Sequence, residues 1–325
     1  MGTLPAPSTT PLAGLRAKRL GREIAAAAII SLLALAGPAG PFERLAGIAA
    51  AHAQTAERIV AAGGVITEVL YALGLQDKVV GVDTTSQWPP EAQKDKKSVG
   101  YVRALSAEGV LSLKPSQIIA VEGAGPPDAL ALLKESGTPI TMIPEALSPE
   151  AVVGKIAAIG KAAGAAEPAQ QLAASVKTRF DELDKLRAGL PKQKRVLFVL
   201  SLQNGRTMVG GRNTTADAII ALAGGVNAAS AVEGFKPMTD EAIITAGPDV
   251  VLMMRHTSSG AHSAVAAELF AMPAFSQTPA AKQQALIRMD GLYLLGFGPR
   301  TPNAARDLMA ELYPEAKVAQ LSAAK

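Results

Sequence analysis

Residues 98–120 read SVGYVRALSAEGVLSLKPSQIIA. Val99 and Gly100 end a short strand or loop, Tyr101 follows, and a helix starts at Ser106. Serine is a favoured N-cap because its hydroxyl accepts an orphan amide hydrogen bond. Glu108 falls in the first turn, where a carboxylate complements the helix N-terminus. Val110, Leu111 and Leu113 form an apolar face, Lys114 sits at the helix end, and Pro115 lies just past it. Ile118, Ile119 and Val121 then read as a buried strand. A tyrosine therefore stands between Gly100 and Arg103 at the mouth of a strand–loop–helix–strand unit. The same residues are also compatible with a surface tyrosine packed on a loop.

The unit has an echo. GFKPMTDEAIITAGPDVVLMM (234–254) repeats the order glycine, aromatic residue, hydroxyl cap, glutamate, apolar helix and apolar strand. In both copies a proline stands seven residues after the glutamate, Glu108 to Pro115 and Glu241 to Pro248. RIVAAGGVITEVLYALG (58–74) is echoed by RTMVGGRNTTADAIIALAG (206–224): strand, glycine pair, helix, glycine. A fixed internal match of this kind indicates a duplicated lobe. Strands alternating with helices indicate an α/β fold with parallel sheets.

Between the copies lies a helical stretch, 149–190, without a strand. Leu172, Val176, Phe180, Leu183 and Leu186 recur at helical steps, an amphipathic stripe on a long helix joining the lobes. The expected division is a leader at 1–53, a first lobe at 54–147, a helical linker at 148–190 and a second lobe at 191–325. Such an arrangement leaves a cleft between lobes, a preferred place for a ligand. Glu91 to Lys97 reads as a solvated charged loop, and Gly291 to Pro302 as a glycine-rich loop.

The leader reads as a signal peptide. Arg16, Lys18, Arg19 and Arg22 precede the apolar run Ile24–Leu35, which is too short for a membrane span. Ala51-His52-Ala53 offers a small-x-small cleavage site. The chain has 32 basic and 28 acidic residues; without the leader's five and two, 27 and 26 remain, a net of +1. The basic character thus resides largely in the leader, and no basic patch suggests nucleic acid. There is no cysteine, hence no disulfide, thiolate metal site or lipid-anchored cysteine. The expected location is the periplasm, in soluble form.

Catalysis is poorly supported. Of three histidines only His256 and His262 lie outside the leader, and no nucleophile elbow or zinc motif occurs. Gly63-Gly64 and Gly210-Gly211 lack the P-loop lysine and the dinucleotide spacing, and read as tight turns. Tyr101 and Phe235 are equivalent positions of the two copies. With both facing the cleft, a flat ligand would meet a ring on one side and an oxygen donor on the other. A guanidinium such as that of Arg103 or Arg255 favours the phenolate form of a tyrosine, a ligand type for ferric haem iron. The arginines could equally pair with ligand carboxylates.

The segments GYVRALSAEGVLSLKPS, GRNTTADAIIALAG, EGFKPMTDEA and MDGLYLLGFGPRTP together resemble the periplasmic haem-binding proteins of haem-uptake ABC transporters, the HmuT family. The resemblance runs from about Glu57 to the C-terminus. It implies a class III periplasmic binding protein fold, with two lobes on a rigid backbone helix. It implies a monomer that carries haem b as its transported ligand and does no covalent chemistry. It places Tyr101 as axial ligand of the haem iron, Arg103 beside the haem, and Arg255 as the opposite-lobe arginine supporting the tyrosinate. Glu108 and Glu241 correspond to the carboxylates that dock on the membrane permease dimer. Some members use a histidine after the second lobe's first strand for a second haem. Here that stretch is Ser201-Leu202-Gln203-Asn204, and His256 is the histidine left to contact haem. A ferric siderophore or a corrinoid is the alternative ligand class.

Overall fold

Strand β1 (Ile59–Ala62) is entirely buried. A strand with no polar face belongs in the middle of a sheet covered on both sides. The computed structural model, which describes residues 57–145, 147–203, 206–255 and 261–323, places it there. Residues 1–53, assigned to the leader, lie outside the described residues. After β1 come α1 (Gly64–Ala72), β2 (Val79–Val82), α2 (Pro90–Asp95), β3 (Lys97–Ser98), β4 (Gly100–Tyr101) and β5 (Ala104–Leu105). Helix α3 (Ala107–Ser112), β6 (Gln117–Val121), α4 (Pro127–Glu135) and β7 (Ile140–Ile143) complete the first lobe. Its sheet has the order β3-β2-β1-β6-β7, and every pairing is parallel. The short antiparallel hairpin β4–β5 stands apart from it.

Helices α5 (Pro149–Ala162) and α6 (Ala166–Ala188) follow. At 1.5 Å per residue, the 23 residues of α6 extend about 35 Å. The predicted stripe holds at Val176, Phe180 and Leu183, which are buried, whereas Leu172 and Leu186 are only partly so. Ala169 and Ala173 take their place. The reason is the close approach of α5, which makes α6 one of a pair rather than a lone helix. A Cβ on Gly160 would stand 2.0 Å from that of Ala169, so only small residues fit at the crossing.

The second lobe contains β8 (Arg195–Gln203), β9 (Arg206–Gly210), α7 (Thr215–Leu222), β10 (Val226–Asn227), β11 (Phe235–Met238) and α8 (Asp240–Ala246). It continues with β12 (Val250–Arg255), α9 (His262–Ala271), α10 (Pro273–Ser276), α11 (Pro279–Gln283) and β13 (Leu286–Asp290). Helices α12 (Gly291–Leu295) and α13 (Thr301–Leu312) come last. Its sheet has the order β11-β9-β8-β12-β13, with β10 beside β8. The core of this sheet is parallel, but β9 runs antiparallel to both β8 and β11.

The duplication is therefore only partly structural. Helices α3 and α8 match: Ser106 accepts from the Gly109 amide and Thr239 from the Ala242 amide. Each chain then passes a left-handed residue, Lys114 (φ 47°) and Gly247 (φ 51°), before its proline. The strands that follow, β6 and β12, both lie parallel to the central strand. The echo of β1 in β9 differs. Both feed a glycine pair and a helix, yet β1 has two parallel neighbours and β9 two antiparallel ones.

Two expected loops are partly helical. The charged run forms α2, with Pro90 at its first position, where a missing amide costs nothing. The glycine-rich stretch contains α12, started by Asp290, whose carboxylate accepts from the Tyr293 amide at 2.9 Å. One apolar core runs under both lobes, from Ile59 and Val69 through Val176 and Phe180 to Phe198, Leu308 and Tyr313.

Candidate functional site

In open parallel sheets, ligands gather at the carboxyl ends of the strands. Beyond β2 this end is organised by Asp83, whose side chain is fully buried. Its Oδ1 accepts from the Gly63 amide and the Ser86 hydroxyl, both at 2.9 Å. Its Oδ2 accepts from the Thr85 amide at 2.9 Å and the Thr85 hydroxyl at 2.7 Å. A buried carboxylate with four donors is well compensated for its lost water. The Gly64 amide in turn donates to Thr85 Oγ1 at 2.9 Å. The amides of the first glycine pair are thus consumed inside the protein, which agrees with a turn and not a phosphate cradle. A Cβ on Gly64 would meet the Thr85 carbonyl oxygen at 2.3 Å, so a side chain is excluded there.

The same loop holds the tyrosine hairpin. The Thr84 amide donates to the Gly100 carbonyl at 2.9 Å. Tyr101 pairs with Ala104 across a tight turn made of Val102 and Arg103. The turn is pinned from behind: the Gly125 amide donates to the Val102 carbonyl at 2.9 Å, and the Leu105 amide to the Gly125 carbonyl at 2.7 Å. Val102 is buried, and Tyr101 and Arg103 project outward, the tyrosine 48% exposed. Neither side chain makes a hydrogen bond or ion pair among the described residues. Gly100 (φ 94°) permits the approach, since its Cβ would lie 3.0 Å from the Ala104 carbonyl oxygen.

In the second lobe Phe235 begins β11, level with Gly210 of β9. It rests edge-on against buried Phe198, ring centres 6.4 Å apart, and stays 38% exposed. Arg255 ends β12 level with Asp290 of β13 and is exposed, with no bonded partner among the described residues. His256 lies outside the described residues. Glu108 and Glu241 are exposed at the starts of α3 and α8. Tyr101 and Arg103 thus belong to the first lobe and Phe235 and Arg255 to the second, and among the described residues no hydrogen bond, ion pair or ring contact joins the two pairs.

Sequence reasoning did not find the cluster that ties these strand ends together. Arg300 donates from Nη2 to Glu68 Oε2 at 2.8 Å and from its amide to Glu68 Oε1 at 3.2 Å. Glu68 is buried on α1 of the first lobe, and Arg300 immediately precedes α13. The guanidinium lies 4.5 Å from the centre of the Trp88 ring and 5.2 Å from that of Tyr293. Tyr293 donates its hydroxyl to Asp307 at 2.7 Å. Burial first, then that hydrogen bond, holds the Tyr293 phenol well above its ordinary value of 10.0. Trp88, Gln87, Asp290, Tyr293, Arg300 and Asp307 line a cavity of about 310 Å³. Its wall contains strand-end residues of both sheets, Gln87 and Trp88 beyond β2 and Asp290 at the end of β13. A second cavity, about 440 Å³, lies against α9, β13 and α13, and neither cavity is lined by a predicted site residue. The only local sign of the cluster was Trp88, the single tryptophan of the chain, beside a proline pair.

The model of the family described as periplasmic binding protein matches residues 59–292. The periplasmic heme-binding protein RhuT from Roseiflexus sp. RS-1, in apo form, is 39% identical, with a TM-score of 0.75 over 80% of this chain and 99% of that one. An uncharacterized ABC transporter substrate-binding lipoprotein of Bacillus subtilis, YvrC, is 30% identical over 77% of each chain. A vitamin B12-binding protein of Vibrio cholerae is 27% identical over 64% of this chain and 74% of its own.

Proposed function

The chain belongs to the periplasmic binding protein family, and from that premise we propose that it binds ferric haem between its lobes and delivers it to an ABC importer. Its task is binding and transfer, without covalent chemistry. The observation that carries the reading is the pinned hairpin. It carries an exposed tyrosine and an exposed arginine two residues apart, with no internal partner among the described residues.

Tyr101 supplies the oxygen donor to the iron, a ligand type that haem proteins use. Arg103 and Arg255, one from each lobe, answer the negative charges of the tyrosinate and the haem propionates. Phe235 offers an apolar face. His256 is the remaining candidate for contact with haem. Glu108 and Glu241 dock on the permease dimer in the inner membrane, one per lobe. The protein works in the periplasm as a monomer, and its leader is removed at about Ala53. The likeness to the Roseiflexus haem-binding protein supports this ligand over others.

The likeness to a vitamin B12-binding protein favours a second reading, a corrinoid or siderophore ligand. A hemin titration of the purified protein decides between them. One-to-one uptake with a tyrosinate-type ferric spectrum is expected. Absence of hemin uptake together with tight binding of cobalamin or a ferric siderophore would replace the first reading by the second.

A further inference from the structure

We propose that the indole of Trp88 is the stacking floor for a planar ligand, and that Arg300 and Glu68 hold that floor in position. The inference rests on the proposed function, since it takes a flat ring system to be the occupant of the interlobe cleft.

Trp88 follows the Asp83 turn and directly precedes the Pro89-Pro90 start of α2. The turn is braced by the Ser86 amide on the Asp83 carbonyl at 3.1 Å and the Gln87 amide on the Thr85 carbonyl at 2.8 Å. The backbone that carries the indole is therefore fixed on both sides. One face of the ring is occupied by the Arg300 guanidinium at 4.5 Å. That guanidinium is in turn held by Glu68 at 2.8 Å. The carboxylate is buried on α1, so the support is anchored in the core of the first lobe.

The indole nevertheless keeps much accessible surface. Trp88 is 45% exposed, one of the most exposed large apolar side chains among the described residues, and with Arg300 and Tyr293 it lines the 310 Å³ cavity. No other ring or cation stacks on it among the described residues. An aromatic ring with a cation on one face retains its second face for stacking. A tryptophan serving only as packing would hide that surface, because exposed indole area is unfavourable in water. Here it shares a cavity wall with Asp290, the register partner of Arg255.

Arg300 and Glu68 act in this account by positioning the indole, Glu68 from the core and Arg300 from the cavity wall itself. The test uses hemin and iron-free protoporphyrin IX, which share the flat macrocycle but not the metal. Trp88→Ala is expected to weaken both by about tenfold and by a similar factor, because stacking does not involve iron. Trp88→Phe retains affinity within about threefold. Arg300→Lys keeps the charge beside Glu68 but loses the planar stack. It is expected to weaken both porphyrins and to speed depolarisation of tryptophan fluorescence, which reports on Trp88 alone. Trp88→Leu replaces the alanine variant if that one does not fold.

A folded Trp88→Ala protein that binds both porphyrins as wild type does, whatever its melting temperature, makes Trp88 a mere strap and overturns the inference, while the haem reading stands. Loss of hemin binding alone, with protoporphyrin unaffected, also overturns it, since the residue would then act through iron. Wild-type protein that takes up neither porphyrin overturns the proposed function and this inference together.

Discussion

Ser106 and Thr239 do the same work in the two lobes. Each hydroxyl accepts from the amide three residues ahead, at 3.0 and 3.3 Å, and each starts a helix whose second residue is an exposed glutamate. Two carboxylates at equivalent helix starts suit a partner that is itself twofold.

Replacing both, Glu108→Ala with Glu241→Ala, is therefore expected to leave hemin affinity and spectrum unchanged. Transport into vesicles containing the cognate permease should fall steeply, since charged contacts steer and hold such complexes. Wild-type transport by the double variant would reduce the two carboxylates to helix-terminus stabilisers.

Tyr101→Phe keeps the ring and removes the oxygen. Hemin affinity is expected to fall by about tenfold or more, equivalent to at least ~1.4 kcal/mol, with loss of the tyrosinate spectrum. Because the hairpin is held by backbone bonds to Gly125, thermal stability should not change. An unaltered spectrum would remove Tyr101 from the iron.

The Glu68–Arg300 bridge joins α1 to the segment before α13, 232 residues apart in the chain. Arg300→Met leaves a buried carboxylate without its cation. The expected loss is about 2–4 kcal/mol, because breaking one side of a largely buried pair is costly. Adding Glu68→Gln should restore part of it. Denaturant unfolding of the two variants measures both effects; a single variant within about 0.5 kcal/mol of wild type would show the bridge to be solvated.

Tyr293 supplies a pH dependence. Its folded phenol is held above the ordinary value by burial and by Asp307. A raised value means that the folded state favours the protonated form. This stabilisation is complete below about pH 10 and is lost as pH rises beyond it. Tyr293→Phe should flatten the alkaline limb of a melting-temperature profile and leave the slope between pH 6 and 8 unchanged. An equally steep alkaline fall in the variant would assign the effect elsewhere, for instance to Tyr313, whose phenol is also raised by burial.

Much of the fold was legible because its signals are local. The caps at Ser106 and Thr239 and the apolar strands are all set by neighbours within a few residues. The antiparallel course of β9 was not legible, since RTMVGG carries the same apolar strand and glycine pair as the parallel strand RIVAAGG. The helix α2 was hidden in a charged run whose only apolar anchor is Ala92. At the site, the exposure of Tyr101 and Arg103 followed from their place between a glycine and a helix cap. The Glu68–Arg300–Trp88 cluster did not. A glutamate inside an apolar helix gives no sign that its cation stands at the other end of the chain.

The antiparallel β9 also bears on how the molecule is assembled. Strands β8 and β9 are consecutive in the chain and pair with each other directly, as Leu202 with Thr207 and Gln203 with Arg206. In the first lobe, β1 pairs with β2 across helix α1 and with β6 across three helices, two strands and a hairpin, both times in parallel. Closing the longer loop costs more chain entropy, and non-local parallel pairing slows folding. The second sheet has a directly connected strand pair as a seed, whereas the nearest pairing in the first, β1 with β2, needs a crossover helix. In pulse-labelled hydrogen exchange, amides of β8 and β9 are expected to gain protection before those of β1 and β6. The lobe bearing the tyrosine hairpin would then be the last to acquire its shape.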